Sequence, residues 1–267
     1  MILQVQWRTV YQYSHPVRLL HTELHVLPGN RARQRVLSGA ITLDPPGQLR
    51  ELTDAFGNTK HHADFLIEVV RLEAGVSAEV ETAPGPEPAL DTTPLFDWLY
   101  RQPTARAPFA AEIDALFGPD IPERPLDAAA AVLAMIVDRF AFETGWTDVT
   151  HSALDVLQTG HGVCQDFAHL MLAALRQRGI AARYVSGYLA PASGAALAAA
   201  SHAWVQVLSG GAWYGFDPAN DTRQDERYVV TAVGRDYDDV PPLRGVYVGE
   251  SAEQWSTEVR IAATGSS

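Results

Sequence analysis

Disulfides, thiolate metal centres, membrane-spanning helices and a basic surface are all missing from this sequence. Cys164 is the only cysteine among 267 residues, so no intramolecular disulfide can form and no multi-thiolate metal site can be assembled. The longest apolar run, Ala128 to Val137 between Asp127 and Asp138, is about half of the ~20 residues a bilayer demands. Lys and Arg number 20 against 32 Asp and Glu, a net charge of −12. That sign repels a phosphate backbone and withholds the counterion release that drives nucleic-acid binding. Neither nucleic acid nor a membrane is an expected partner. The first residues, Met-Ile-Leu-Gln-Val-Gln-Trp-Arg, alternate apolar and polar where a secretory signal has a basic start and an apolar block, so a cytoplasmic location is expected. What is present is ordinary for a globular chain: 47% hydrophobic and 19% charged residues, and a length that suits one large domain or two modest ones.

Residues 1–82 read as β-structure. Leu3, Val5 and Trp7 alternate with polar residues, and further apolar runs (Leu24 to Leu27, Val36 to Leu43, Phe65 to Val70, Val76 to Val80) are separated by turns such as Pro28-Gly29-Asn30 and Phe56-Gly57-Asn58. Many short strands without a helical period predict an antiparallel, sandwich-like domain. The stretch Ala83-Pro84-Gly85-Pro86-Glu87-Pro88 extends the chain and prevents a packed element, which places a boundary between residues 1–85 and 86–267. Beyond it the period becomes helical: Thr93-Pro94 opens a helix to Tyr100, followed by helices over Pro108 to Phe117, Pro125 to Phe140, Ser152 to Gln158 and Val163 to Arg178. Strands are predicted at Arg183 to Leu189, His202 to Leu208 and Ala212 to Phe216, giving an α+β domain. Ala190 to Ala200 is expected to be a mobile small-residue loop.

Cys164 follows Gly160-His161-Gly162-Val163 and precedes a long helical stretch, so its thiol sits at a helix N-terminus, where unpaired N–H groups and the dipole favour a thiolate. A lone cysteine is more often a small buried hydrophobe. The glycines weaken that alternative, because flexible backbone admits a substrate carbonyl. A thiolate nucleophile needs a base and the base needs an orienting group. If Ser209-Gly210 is the turn between His202 to Leu208 and the return strand, His202 faces Asp217; if Gly210-Gly211 is the turn, Asp217 faces Trp204 and stays diagonal to His202. Each of the two residues has a structural alternative, a capped strand histidine and a turn acid. Together with Cys164 they form a Cys, His, Asp set of the kind in which the carboxylate fixes the useful tautomer.

These stretches resemble the transglutaminase-like superfamily, in particular bacterial members with an N-terminal β domain. The resemblance rests on Thr159 to Leu170 around the cysteine, Gly179 to Tyr188, Ser201-His202-Ala203-Trp204-Val205 and Phe216-Asp217-Pro218-Ala219-Asn220, with Tyr13 to Val17, Asp54 to Asn58, Gly234 to Tyr237 and Asp239 to Pro242 extending it over nearly the whole chain. Ala181 stands where such proteins often have proline. The resemblance implies a papain-like core with Cys164 as nucleophile, His202 as acid and base, and Asp217 as orienter. It implies acyl transfer on a carboxamide or peptide bond through a thioester, resolved by water or by an amine, with hydrolysis the favoured outcome among small bacterial members. The expected partner is a peptide or protein substrate, with no cofactor and no metal. The rival of another class is a binding module that keeps the fold with an inactive site.

Other candidates read as structural. His61-His62 with Asp64 is expected to be a polar strand face, since no HExxH helix accompanies it. His169 is expected to pack, His161 to flank the thiol, and Asp166 to complement the helix dipole. Trp146 and Trp204 are expected in the core. Asp236, Asp238 and Asp239 lack the spacing of a calcium loop.

Overall fold

The computed structural model describes the chain except residues 91–92, 119–120, 144–150, 193–196, 200 and 265–267. The first part is strand-rich: β1 (Ile2–Leu24), β2 (Gln34–Asp44), β3 (Gln48–Thr53), β4 (Thr59–Phe65), β5 (Val69–Thr82) and the short β6 (Glu87–Pro88). Helices α1 (Pro94–Leu99), α2 (Ala111–Phe117) and α3 (Pro125–Arg139) follow, then β7 (Ala141–Phe142), α4 (Ala153–Thr159), β8 (His161–Gly162) and α5 (Cys164–Gln177). The chain continues with β9 (Ala182–Leu189), β10 (Leu197–Ala199), β11 (His202–Ser209), β12 (Ala212–Asp217), β13 (Thr222–Arg223) and β14 (Tyr228–Gly234), and ends in β15 (Leu243–Val248) and β16 (Glu253–Ala263). This is the expected α+β class.

β1 organises the first sheet. Its N-terminal half pairs with β5 and β16, its C-terminal half with β4 and β15, all antiparallel. Between the halves the register shifts, and Leu19 takes φ 48°, a left-handed kink that lets one strand serve two groups of partners. Leu3, Val5, Trp7 and Thr9 face inward and their neighbours outward, the period-two pattern read from the sequence. Strands β15 and β16, absent from the sequence expectation, return to β1, so residues 243–263 hydrogen-bond to the N-terminal sheet. Their alternation is broken by exposed Val246, Val248 and Trp255, which hid them. Leu197–Ala199, expected within a loop, pairs with β16.

The second sheet runs β13-β12-β11-β9-β14, with β6 on β12. α5 crosses it and buries Phe167, Leu170, Met171 and Leu175 against Val205, Val207 and Phe216, with α3 packed behind. α1 starts as predicted, with Thr93 Oγ1 accepting from Phe96 N–H and Pro94 in the first position. α2 starts at Ala111 rather than Pro108, because Ala110 is held extended by two hydrogen bonds with the Gln177 side chain. None of the described helices is long and apolar enough to cross a membrane.

The two sheets meet through side-chain amides. Asn58 accepts from Val233 N–H and donates to Val233 C=O, both at 2.8 Å. Gln34 does the same to Val230, again at 2.8 Å. Each amide acts as a single residue of strand on the outer edge of β14, which would otherwise be unpaired. The Asp54-Ala55-Phe56-Gly57-Asn58 turn delivers Asn58: Asp54 Oδ1 accepts from Phe56 and Asn58 N–H, and Gly57 takes φ 79°.

Candidate active site

Cys164 is the first residue of α5, half-buried against the core. The turn before it is sterically defined. α4 stops at Gly160 in the left-handed region, φ 77°. A Cβ on Gly162 would lie 3.0 Å from Asp166 Cβ and 3.1 Å from Phe167 Cε1, so this glycine serves close packing of the helix start rather than the open carbonyl approach expected of it. The buried Asp166 accepts from Val163 N–H at 2.9 Å, satisfying one first-turn donor and placing negative charge at the positive helix end, as expected.

His202 opens β11 and Asp217 closes β12. Their turn is Gly210-Gly211, with φ 57° and 77°, and Ser209 pairs with Ala212. Of the two registers open to the sequence, this one puts glycine at both positive-φ positions of the turn; the other requires Ser209 there. Carried outward, it sets Asp217 beside Trp204 and diagonal to His202. The side chains still meet, with His202 Nε2 2.6 Å from Asp217 Oδ2. Cys164 is near enough to act electrostatically on the ring, and Nδ1 is the nitrogen not engaged by the carboxylate.

Asp217 has no exposed surface. Its Oδ1 accepts from the N–H groups of Ala219 and Asn220, and its Oδ2 accepts from Asn220 Nδ2 and Tyr228 O–H, both at 2.8 Å. Burial alone would raise this carboxyl, but the hydrogen bonds from His202, Asn220 and Tyr228 outweigh it and hold Asp217 below the usual range. Burial disfavours a charged His202, yet its hydrogen bond to the Asp217 carboxylate and its interaction with Cys164 push it up to about 10. The ring therefore keeps its second proton at neutral pH. It stacks on Trp204 at 5.9 Å, and Trp204 is fully buried, as expected; Trp146 lies outside the described residues. Asn220 and Tyr228 were not singled out. Asn220 has a local signal in Asp217-Pro218-Ala219-Asn220, an Asx-type turn, whereas Tyr228 has none.

The remaining candidates fall outside this arrangement. His169 is buried, stacked on Tyr184, and accepts from Tyr237 N–H; burial, reinforced by Arg106 and Arg176, pushes it down to about 3, so it is neutral packing. His161 lies 3.4 Å from Glu143. Asp238 accepts two hydrogen bonds from Arg106 at 3.0 Å, and Asp239 accepts from Arg235, so both acids are engaged with cations of the chain itself.

Cys164 and His202 open onto a cleft of about 440 Å³ whose wall on their own side includes Gln165, Tyr184, Ser186 and Tyr237. The facing wall is the strand-rich lobe: Trp7, Tyr13 and Thr22 from β1, with Tyr247, Trp255 and Thr257 from the C-terminal strands. Both lobes thus complete one site.

Residues 118–218 match the core of the transglutaminase-like superfamily, and residues 3–81 match the bacterial transglutaminase-like N-terminal region. The chain is 34% identical over 276 residues to the uncharacterized protein ML0607 of Mycobacterium leprae, covering 97% of this chain and 98% of that one. It is also 34% identical over 272 residues to the uncharacterized protein Rv2569c of Mycobacterium tuberculosis, covering 91% and 86%. A crystal structure of a candidate cysteine protease from Cytophaga hutchinsonii superposes with a TM-score of 0.81 at 21% identity, over 100% of this chain and 92% of that one, so the two-lobed fold is shared from end to end. The chain belongs to the transglutaminase-like superfamily, with the N-terminal region found in its bacterial members.

Proposed function

We propose that the protein is a cysteine-dependent acyl-transfer enzyme acting on a carboxamide or peptide bond, with Cys164 as nucleophile, His202 as acid and base, and Asp217 as the group that orients the base. One observation carries this: a half-buried thiol at the start of α5 and an imidazole locked at 2.6 Å to a fully buried carboxylate open onto the same cleft.

The chemistry follows from the geometry. His202 Nδ1 holds the proton that the thiol has given up, and the sulfur attacks the carbonyl carbon. N–H groups at the first turn of α5, that of Cys164 among them, stabilise the oxyanion. The imidazolium then returns its proton to the departing nitrogen, the C–N bond breaks and a thioester remains. Water activated by His202 releases an acid; a primary amine instead forms a new amide. Asp217 acts through His202 by holding Nε2–H and thereby aiming Nδ1.

The test is incubation with a library of Gln-containing peptides, with and without a primary amine, read by mass spectrometry. Cleavage, deamidation or an amine adduct that disappears in Cys164→Ala and falls by roughly 10³-fold or more in His202→Ala supports the assignment. Products undiminished in Cys164→Ala, or no product from any peptide, contradict it.

A further inference from the structure

We propose a divalent transition-metal site, of the zinc class, on the outer face of the strand-rich lobe, formed by His21 and Glu23 of β1 and His62 of β4. The three residues offer nitrogen or oxygen ligand atoms that all lie within 4.8 Å of one another.

The sheet register creates the cluster. Glu23 is directly opposite His62, and His21 directly opposite Asp64; residues two apart on a strand share a face, so all four side chains emerge together. The face is the outer one, because Leu20, Thr22 and Leu24 between them are buried. His62 was expected to belong to a plain polar strand face; His21 and Glu23, forty residues away in sequence, carried no signal.

Two features distinguish this cluster from a set of surface ion pairs. His62 Nε2 is buried and lies 3.1 Å from Glu23 Oε1, yet makes no hydrogen bond. A nitrogen and a carboxylate held close without alignment are suited to an ion between them. His21 Nδ1 sits 2.6 Å from Asp64 Oδ1, and Arg50 hydrogen-bonds Asp64 in turn. That is the supporting carboxylate found behind metal-bound histidines, which fixes the ring and leaves Nε2 for the ion. Tetrahedral zinc brings its ligands to roughly 3.3 Å of one another. Small rotations of these partly exposed side chains close the gap, and two imidazoles with one carboxylate leave a fourth position for water.

Lys60, the only lysine of the chain, lies 3.2 Å from Glu23 Oε1. Its contact and that of His62 both fall on Oε1, so an ion coordinates through Oε2 or displaces the ammonium. Lys60 therefore opposes binding. The ion would pin β1 to β4 immediately behind Thr22, which lines the cleft, and would stabilise that wall in proportion to its occupancy.

The experiment uses tag-free full-length protein titrated with Zn²⁺ alone by calorimetry and with Co²⁺ followed by visible absorption. The expected result is one ion per chain, a Co²⁺ spectrum without a sulfur charge-transfer band, and unchanged binding in Cys164→Ser. Binding falls by at least 10-fold in His21→Ala and in His62→Ala, falls by roughly 10- to 100-fold in Asp64→Asn, and tightens in Lys60→Ala. Lys60→Ala reads the site by gain, so it remains decisive even if a histidine variant fails to fold. Absence of binding, binding indifferent to His21 and His62, weaker or equal binding in Lys60→Ala, or binding lost in Cys164→Ser would each overturn the proposal.

Discussion

The junction between the lobes rests on an unusual device, and Asn58→Ala tests it. The mutation deletes an amide that pairs with both backbone groups of Val233 at 2.8 Å; Asn58 and Val233 are each 1% exposed, so water cannot readily replace the lost partner. Two buried backbone groups left unsatisfied cost about 1–3 kcal/mol each, or about 2–5 kcal/mol after partial relaxation. Asp54 also loses the Asn58 Nδ2 donor but keeps the N–H groups of Phe56 and Asn58, so the turn itself survives. For a chain of this size the corresponding drop in melting temperature is about 5–15 °C. Asn58→Asp is the sharper control. It preserves shape and the acceptor for Val233 N–H, but replaces the donor with an anion facing the Val233 carbonyl and the Asp54 carboxylate, and is expected to be at least as damaging as alanine. Urea denaturation followed by circular dichroism, with the slope compared between variants, measures both. Asn58→Ala within about 0.5 kcal/mol of the wild type would refute the edge-pairing role.

Two other outcomes follow from buried groups near the cleft. Tyr228→Phe removes one donor to Asp217 Oδ2; a hydrogen bond to a charged group is worth about 1.5–3 kcal/mol, so the carboxyl rises by roughly 1–2 pH units. The acid limb of the pH–rate profile should move upward by that amount while KM stays nearly constant, and an unmoved profile would show that Tyr228 only packs. His169, pushed down to about 3 by burial, is neutral in the folded state but takes a proton below about 6.5 when unfolded. Its contribution is complete above that pH and is lost progressively as pH falls toward 3. His169→Gln, which keeps an acceptor for Tyr237 N–H, should flatten the loss of stability between pH 6.5 and 4; an acid profile identical to the wild type would contradict the assignment.

What the sequence made legible was whatever is encoded locally. Thr93-Pro94, Gly160 and Gly210-Gly211 punctuate elements through cap and turn chemistry that acts within a few residues. Cys164 at a helix start and His202 near Asp217 could be read because a helix cap and a two-residue hairpin restrict geometry severely. The hairpin register was readable only as two options; the positive-φ demand of both turn positions selects Gly210-Gly211. Tyr228 reaches Asp217 from another strand of the sheet, and Gln34 and Asn58 reach β14 from the other lobe. No periodicity reports such contacts. The C-terminal strands were missed for the same reason: their partner, β1, lies some 240 residues away in sequence, and they present a partly apolar outer face. Without them the second wall of the cleft could not be anticipated.

The most direct measurement on the proposed activity is the alkylation rate of native Cys164 by iodoacetamide at neutral pH, followed by intact mass in wild-type protein and in folded His202→Ala and Asp217→Ala variants. The expected result is rapid, single-site labelling of the wild type that slows markedly in His202→Ala and less in Asp217→Ala. Labelling that waits for unfolding, or that proceeds at the same rate without the imidazole, would mean that His202 does not activate the thiol.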